Sequence, residues 1–278
     1  MRRVRLPDGT DVPALGQGTW LIGENKRSAG EEEAALALGI DLGLSLIDTA
    51  EMYGDGRSEE LIGRVIKGRR HDVFLVSKVY PHNASAEGVQ AACARSLKRL
   101  GVEKIDLYLL HWRGGIPLAE TVAGFQALKH AGKIGAWGVS NFDVADMDEL
   151  MSVPSGDGCA TNQVLYHPGS RGIEYDLLAW CARKKISVIA YSPFGHSGTP
   201  LRSKALAEVA RRHGATPAQI ALAWAMRHPH VIVIPKAGDP AHVRENAAAL
   251  NIKLTAEDFA AIDAAHPPPR RKQSLDLL

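Results

Sequence analysis

Short apolar runs recur along the chain, separated by longer stretches in which apolar residues return every three or four positions. The clearest runs are Leu44–Ile47, Val73–Ser77, Ile105–Leu110, Ala136–Ser140, Ala160–Val164, Ser187–Tyr191 and His230–Ile234, with Leu15–Trp20 a weaker first member. Most are continuously apolar rather than alternating, which is the pattern of parallel strands covered on both faces. The stretches between them carry helix signals. Ser-Ala-Gly-Glu from Ser28 and Thr-Pro-Ala-Gln from Thr216 each fit a capping box, the second with Pro217 at the first helical position. Val89, Ala92, Cys93, Ser96, Leu97 and Leu100 share one face of a predicted helix.

Repeated strand–helix units with no linker-like stretch predict one domain over residues 1–278, an α/β fold built as a (β/α)8 TIM barrel. The runner-up, an open doubly wound sheet, favours a GxGxxG phosphate turn after its first strand, and this chain has none. Asp8-Gly9 reads as the turn of an N-terminal β-hairpin plugging the bottom of the barrel.

Composition changes little. A hydrophobic content of 45%, a charged content of 23% and a net charge of +2 are those of an ordinary globular protein, with no call for nucleic acid or an anionic membrane as partner. Cys93, Cys159 and Cys181 form no CxxC pair, so neither a disulfide framework nor a zinc site is expected. No apolar segment follows the basic start and no run is long enough to span a bilayer, which points to the cytoplasm.

Barrel enzymes place their chemistry at the C-terminal ends of strands. The runs here end in Asp48, Lys78, His111, Ser140-Asn141, Asn162-Gln163, Tyr191-Ser192 and Lys236. One charged strand end is usually a solvated rim residue, but Asp, Lys, His and a polar pair on four successive strands are not readily explained that way. A buried Lys78 needs a partner, and Asp48 is available. An ammonium near a phenol favours phenolate, so Tyr53, in the loop after Asp48, is expected to have its pKa lowered and to act as a proton donor. A neutral His111 can hydrogen-bond the same substrate oxygen. The hydride must come from a nicotinamide, since side chains supply none.

The stretches "GQGTW", "LIDTAEMYG", "VSKVY", "DLYLLHW", "GKIGAWGVSNF", "TNQVLYH", "AYSPFG" and "IPKAGDPAHVRENAAAL" resemble the aldo-keto reductases along nearly the whole chain, in family order and spacing. The likeness is greatest to bacterial members that reduce methylglyoxal and other small aldehydes. It implies an NAD(P)H-dependent reductase with a catalytic tetrad of Asp48, Tyr53, Lys78 and His111. It also implies that Ser140, Asn141 and Gln163 bind the nicotinamide carboxamide and that Tyr191 stacks on the ring. Ser192, Pro193 and Phe194 would meet the pyrophosphate, Glu245 and Asn246 the adenine, and Gly18, Thr19, Trp20, Asp48 and Ile234 would also belong to the cofactor set. Trp20, Met52, Tyr80, His111 and Trp112 would line the substrate pocket.

Of the residues that hold the adenosine 2′-phosphate in many members, only Lys236 is present; Ala237, Gly238, Asp239 and His242 replace the rest. NADPH is expected to be preferred, because Lys236 remains and His242 can donate a hydrogen bond to the phosphate, with NADH use open; a monomer is the expected state. The segments after His111 and Tyr191 and the tail from His266 are short, which suggests an open mouth that the tail does not cover. The same scaffold also resembles the cytoplasmic β-subunits of potassium channels, so a nucleotide-sensing subunit with little turnover is the alternative. Glycosidase chemistry is disfavoured because only Asp48 is well placed among strand-end carboxylates. The His228-Pro229-His230 stretch falls at the base of its strand, away from the active face, so no metal is expected.

Overall fold

The structure is a computed structural model that describes residues 2–24 and 28–278. The hairpin pairs β1 (Arg3–Arg5) antiparallel with β2 (Asp11–Pro13). It buries Val4, Leu6 and Val12, and the Arg2 guanidinium donates to the His228 carbonyl, which places it under the N-terminal ends of the strands. Eight parallel strands follow: β3 (Gln17–Gly18), β4 (Leu46–Asp48), β5 (Phe74–Val79), β6 (Ile105–Leu110), β7 (Ile134–Ser140), β8 (Thr161–Leu165), β9 (Ser187–Tyr191) and β10 (Val231–Ile234). Each pairs with its neighbour in chain order.

The ring closes between β10 and the first strand. Leu15 bridges Val233 and Gly18 bridges Lys236, with Gly16 N–H donating to the Val233 carbonyl at 2.8 Å and Gly18 N–H to Pro235 at 2.9 Å. A Cβ at Gly18 would stand 2.9 Å from the Ile234 carbonyl oxygen, so only glycine permits this approach. The first strand is therefore shorter than the apolar run Leu15–Trp20, and Thr19 and Trp20 belong to the loop above it.

Helices α1 (Ala29–Asp41), α2 (Arg57–Val65), α3 (Ala86–Leu100), α4 (Leu118–His130), α5 (Val144–Ser152) and α6 (Leu177–Lys184) connect successive strands. After β9 come α7 (Lys204–His213) and α8 (Pro217–Ala225), and after β10 come α9 (Pro240–Ala248) and α10 (Ala256–Ala265). The face expected on α3 is the buried one, with Val89, Ala92, Cys93, Ser96 and Leu100 inward. Thr216 closes the expected capping box with Gln219. Ser28 does not. Its backbone is already helical and its hydroxyl reaches the Glu32 carboxylate at 3.2 Å, while Glu32 also accepts from Gly23 N–H at 2.9 Å.

Among the described residues no helix is long and apolar enough to cross a membrane.

Candidate active site

Successive parallel strands deliver their last residues to one rim. Asp48 ends β4, Lys78 sits one residue inside the end of β5, His111 follows β6 and Ser140 ends β7. Tyr53 comes to this rim on the loop after β4, and Gly54, Asp55 and Gly56, all at positive φ (57°, 56° and 86°), then turn the chain sharply into the next helix.

At the centre the Lys78 ammonium is fully buried. It donates to Asp48 Oδ2 at 2.7 Å, to the Thr49 carbonyl at 2.8 Å and to the Tyr53 hydroxyl at 3.2 Å. Burial works against its charge, but the Asp48 carboxylate and Tyr53 outweigh that and its pKa is raised. Asp48 Oδ1 accepts from Gln163 Nε2 at 2.7 Å. The His111 ring lies 5.8 Å from that of Tyr53, edge to face. Burial first, and the Lys78 charge second, hold the imidazole well below its usual pKa, so it is neutral. His111 Nδ1 is sealed in the interior without a partner among the described residues, which leaves Nε2 on the cleft side.

One sequence-based expectation is reversed. Burial pushes the Tyr53 phenol up, Lys78 pulls it down and Asp48 pushes it up again, with a net rise. The lysine limits the cost of burial without overcoming it. In this state Tyr53 is a firmly protonated donor.

These side chains stand in a cleft that opens to solvent. Its walls include Gly18, Thr19, Trp20, Met52, Trp112, Ser140, Asn141, Gln163, Tyr191, Ser192, Ile234 and Lys236, which brings together most of the residues expected for cofactor and substrate. Asn141 and Ser192 hold positive φ (61° and 48°) at their strand ends, a conformation costly for non-glycine residues. Asn141 accepts from the Tyr191 hydroxyl at 2.9 Å and donates to the His111 carbonyl at 3.3 Å. The Ser140 hydroxyl donates to the Gln163 carbonyl at 2.8 Å.

Other expected residues lie outside the cleft. Tyr80 packs edge-on behind Trp112, ring centroids 5.8 Å apart. Asn162 spends its amide on the Phe142 backbone. Pro193 is buried and Phe194 packs on the core. On α9 the Glu245 carboxylate accepts from the Thr216 hydroxyl rather than standing free, and Asn246 is buried. His242 is exposed, 3.9 Å from Asp239, which caps the same helix through Ala241 N–H.

Two features escaped the sequence reading. The tail does reach the mouth: Asp276 accepts from the Ser170 hydroxyl at 2.6 Å, Leu275 packs on the core and Leu278 lines the cleft. Nothing in the tail's composition signals this, because the contacts join residues a hundred positions apart. The other is Glu51. Its buried carboxylate accepts from Tyr80 N–H at 2.9 Å and Asn83 Nδ2 at 3.0 Å, tying the loop after β4 to the loop after β5. An acid between Ala50 and Met52, so near a strand end, was the available signal.

The donor set suits a nicotinamide dinucleotide. The Asn141 and Gln163 amides line the cleft together with Tyr191, and no carboxylate lies within ion-pair distance of the Lys236 ammonium among the described residues. Among the described residues there is no group of three or more His, Cys, Asp or Glu that could hold a metal ion.

Comparison with known proteins agrees with this architecture. The methylglyoxal reductase YeaE of Escherichia coli (strain K12) is 48% identical, with 100% of this chain and 99% of that protein covered. The glyoxal reductase of Bacillus subtilis (strain 168) is 34% identical over 96% of this chain and 94% of its own. A crystal structure of an aldo/keto reductase from Klebsiella pneumoniae, in complex with NADP and acetate, superposes with a TM-score of 0.97 at 49% identity, covering 100% of this chain and 99% of that one. Residues 14–267 match the profile of the aldo/keto reductase family, so a strand-end Asp, Lys and His around a half-buried tyrosine, a closed eight-stranded barrel and full-length likeness lead to one conclusion: the chain belongs to that family.

Proposed function

We propose that this protein reduces small aldehydes and dicarbonyls of the methylglyoxal kind to alcohols with NADPH, and that Tyr53 delivers the proton. The carrying observation is Lys78 Nζ set between Asp48 Oδ2 and the Tyr53 hydroxyl at the floor of an open cleft. The names of the relatives and the NADP in the Klebsiella pneumoniae structure support the substrate class and the cofactor.

The roles follow from the contacts. The bound dinucleotide supplies a hydride to the carbonyl carbon. Tyr53 gives its phenolic proton to the carbonyl oxygen, and Lys78 stabilises the phenolate that remains. Asp48 keeps Lys78 charged and aimed. His111, neutral and with Nε2 facing the cleft, hydrogen-bonds the same oxygen and orients it. Ser140, Asn141 and Gln163 seat the carboxamide, Tyr191 supports the ring, and Lys236 meets the adenosine phosphate. Trp20, Met52 and Trp112 form the apolar rim against which a small substrate rests. A cytoplasmic monomer is part of the proposal.

The test is carbonyl-dependent oxidation of NADPH and NADH with methylglyoxal and a series of small aldehydes. Turnover with NADPH favoured is the expected result. Tight NADPH binding without turnover on any carbonyl would replace this reading with a nucleotide-sensing one.

A further inference from the structure

Gln163 lies on β8 and Asp48 on β4, four strands apart in a ring of eight and so on opposite walls. Gln163 Nε2 nonetheless crosses to Asp48 Oδ1 at 2.7 Å, and both residues are buried. Chemistry fixes which way round the amide sits. An ionised carboxylate can only accept, so the amide nitrogen faces Asp48 and the amide oxygen faces away. No described residue donates to that oxygen, and Gln163 lines the cleft. The other carboxylate oxygen belongs to Lys78 at 2.7 Å. Two side-chain donors, one from each wall, thus hold the only carboxylate at the floor of the site among the described residues.

We propose that Gln163 is a positioning residue for the proton-donating side of the site: its amide nitrogen anchors Asp48 and keeps Asp48, Lys78 and Tyr53 in register, while its amide oxygen stays available to the cofactor carboxamide. A buried ion pair is tolerated only where its remaining lone pairs are satisfied, and Gln163 satisfies the one that Lys78 leaves. The amide also draws charge away from the side of Asp48 that opposes Tyr53 ionisation. Lys78 from β5 contacts this carboxylate, and the other titratable side chains of the cleft are Tyr53 from the loop after β4, His111 beyond β6, Tyr191 from β9 and Lys236 beyond β10. The catalytic consequence rests on the reductase reading; the contact itself does not.

Cofactor-free protein supplies the first test. Gln163→Glu sets a second carboxylate against Asp48, and two carboxylates in contact cannot both ionise, so one retains its proton. That proton is held more tightly in the folded state than in the unfolded one. The variant's stability is therefore intact at acid pH and lost as the pH rises through the folded pKa of the pair. In thermal melts, the Tm deficit of Gln163→Glu against wild type grows from acid toward neutral pH. Adding Asp48→Asn removes that pH dependence. A deficit equal at all pH values, or one that survives Asp48→Asn, would overturn the contact.

The second test uses the active enzyme. Gln163→Leu lowers kcat about tenfold, the cost of one hydrogen bond to a charged group. It also moves the alkaline limb of the kcat profile to higher pH, because Tyr53 becomes a weaker acid. If Gln163 only seats the carboxamide, fluorescence titration shows weaker NADPH binding while the profile stays in place, and the proposal fails. If wild type reduces no carbonyl, the reductase reading falls, and the melts still decide whether Gln163 holds Asp48.

Discussion

Lys78 has lost all its water yet keeps its proton, because Asp48, the Thr49 carbonyl and the Tyr53 hydroxyl together replace it. Removing the ammonium strands a carboxylate in the interior, which costs far more than the pair contributes. Lys78→Met is expected to lose about 3 kcal/mol or more of stability in urea titration and to abolish turnover. Adding Asp48→Asn should return most of that stability and none of the activity. At the cofactor end the single-residue question is His242. It is exposed and set near Asp239, whose carboxylate already serves as a helix cap, so neither residue offers a phosphate a fixed cation. His242→Arg should tighten NADPH roughly fivefold, the value of one exposed charge pair, and leave NADH unchanged. Equal affinities for both variants in a binding titration would place the 2′-phosphate elsewhere.

Loops and caps, at the scale of elements, decide how well the rim is held. Glu51 joins the loop that carries Tyr53 to the loop that carries Tyr80, and Arg95 reaches its other side at 3.3 Å. Glu51→Ala is expected to cost about 2 kcal/mol and to lower kcat, since two hydrogen bonds to a charged acceptor are lost between moving parts. Glu51→Gln keeps a carbonyl oxygen for both donors and should recover most of each, as denaturation and kinetics on the pair of variants would show. Thr216→Ala removes a complete capping box and should cost about 1 kcal/mol. The contrast with Ser28 shows what local sequence can convey. Thr216 has Pro217 to fix the first helical φ and an extended backbone of its own, so the motif is self-sufficient. At Ser28 the hydroxyl is diverted to Glu32, whose carboxylate is also held by Gly23 N–H across the loop, and no local pattern reports that competition.

For the whole molecule, the barrel was legible because a parallel sheet buried on both faces must be largely apolar, and a lysine, an aspartate and an imidazole at successive strand ends depart from that pattern at one rim. Asp48, Lys78, His111 and Ser140 stood out for this reason. What could not be read were contacts that depend on closure of the ring: Gln163 reaching across to Asp48, and the tail pinned by Asp276 to Ser170. The sign of the Tyr53 shift was misread for a related cause, since burial outweighs a neighbouring charge only once the depth of the site is known. Depth also governs the response to acid. Burial pushes His167 and His228 from an ordinary 6.5 down to about 4. Both are neutral when folded and take up protons when unfolded, so their contribution is complete above about 6.5 and is lost as the pH falls toward about 4. Tm should therefore decline across that window, and His167→Gln with His228→Gln should flatten the decline. An unchanged slope in the double variant would assign the acid sensitivity to other groups.

The central claim is that Tyr53, held by Lys78, is the proton donor to a carbonyl. Tyr53→Phe keeps the ring and removes only the hydroxyl, so kcat for NADPH-dependent reduction of methylglyoxal and NADPH affinity should be measured together on wild type and variant. The expected result is a loss of at least about a hundredfold in kcat with NADPH binding unchanged. A variant that turns over at the wild-type rate while binding NADPH equally well would contradict the assignment of Tyr53.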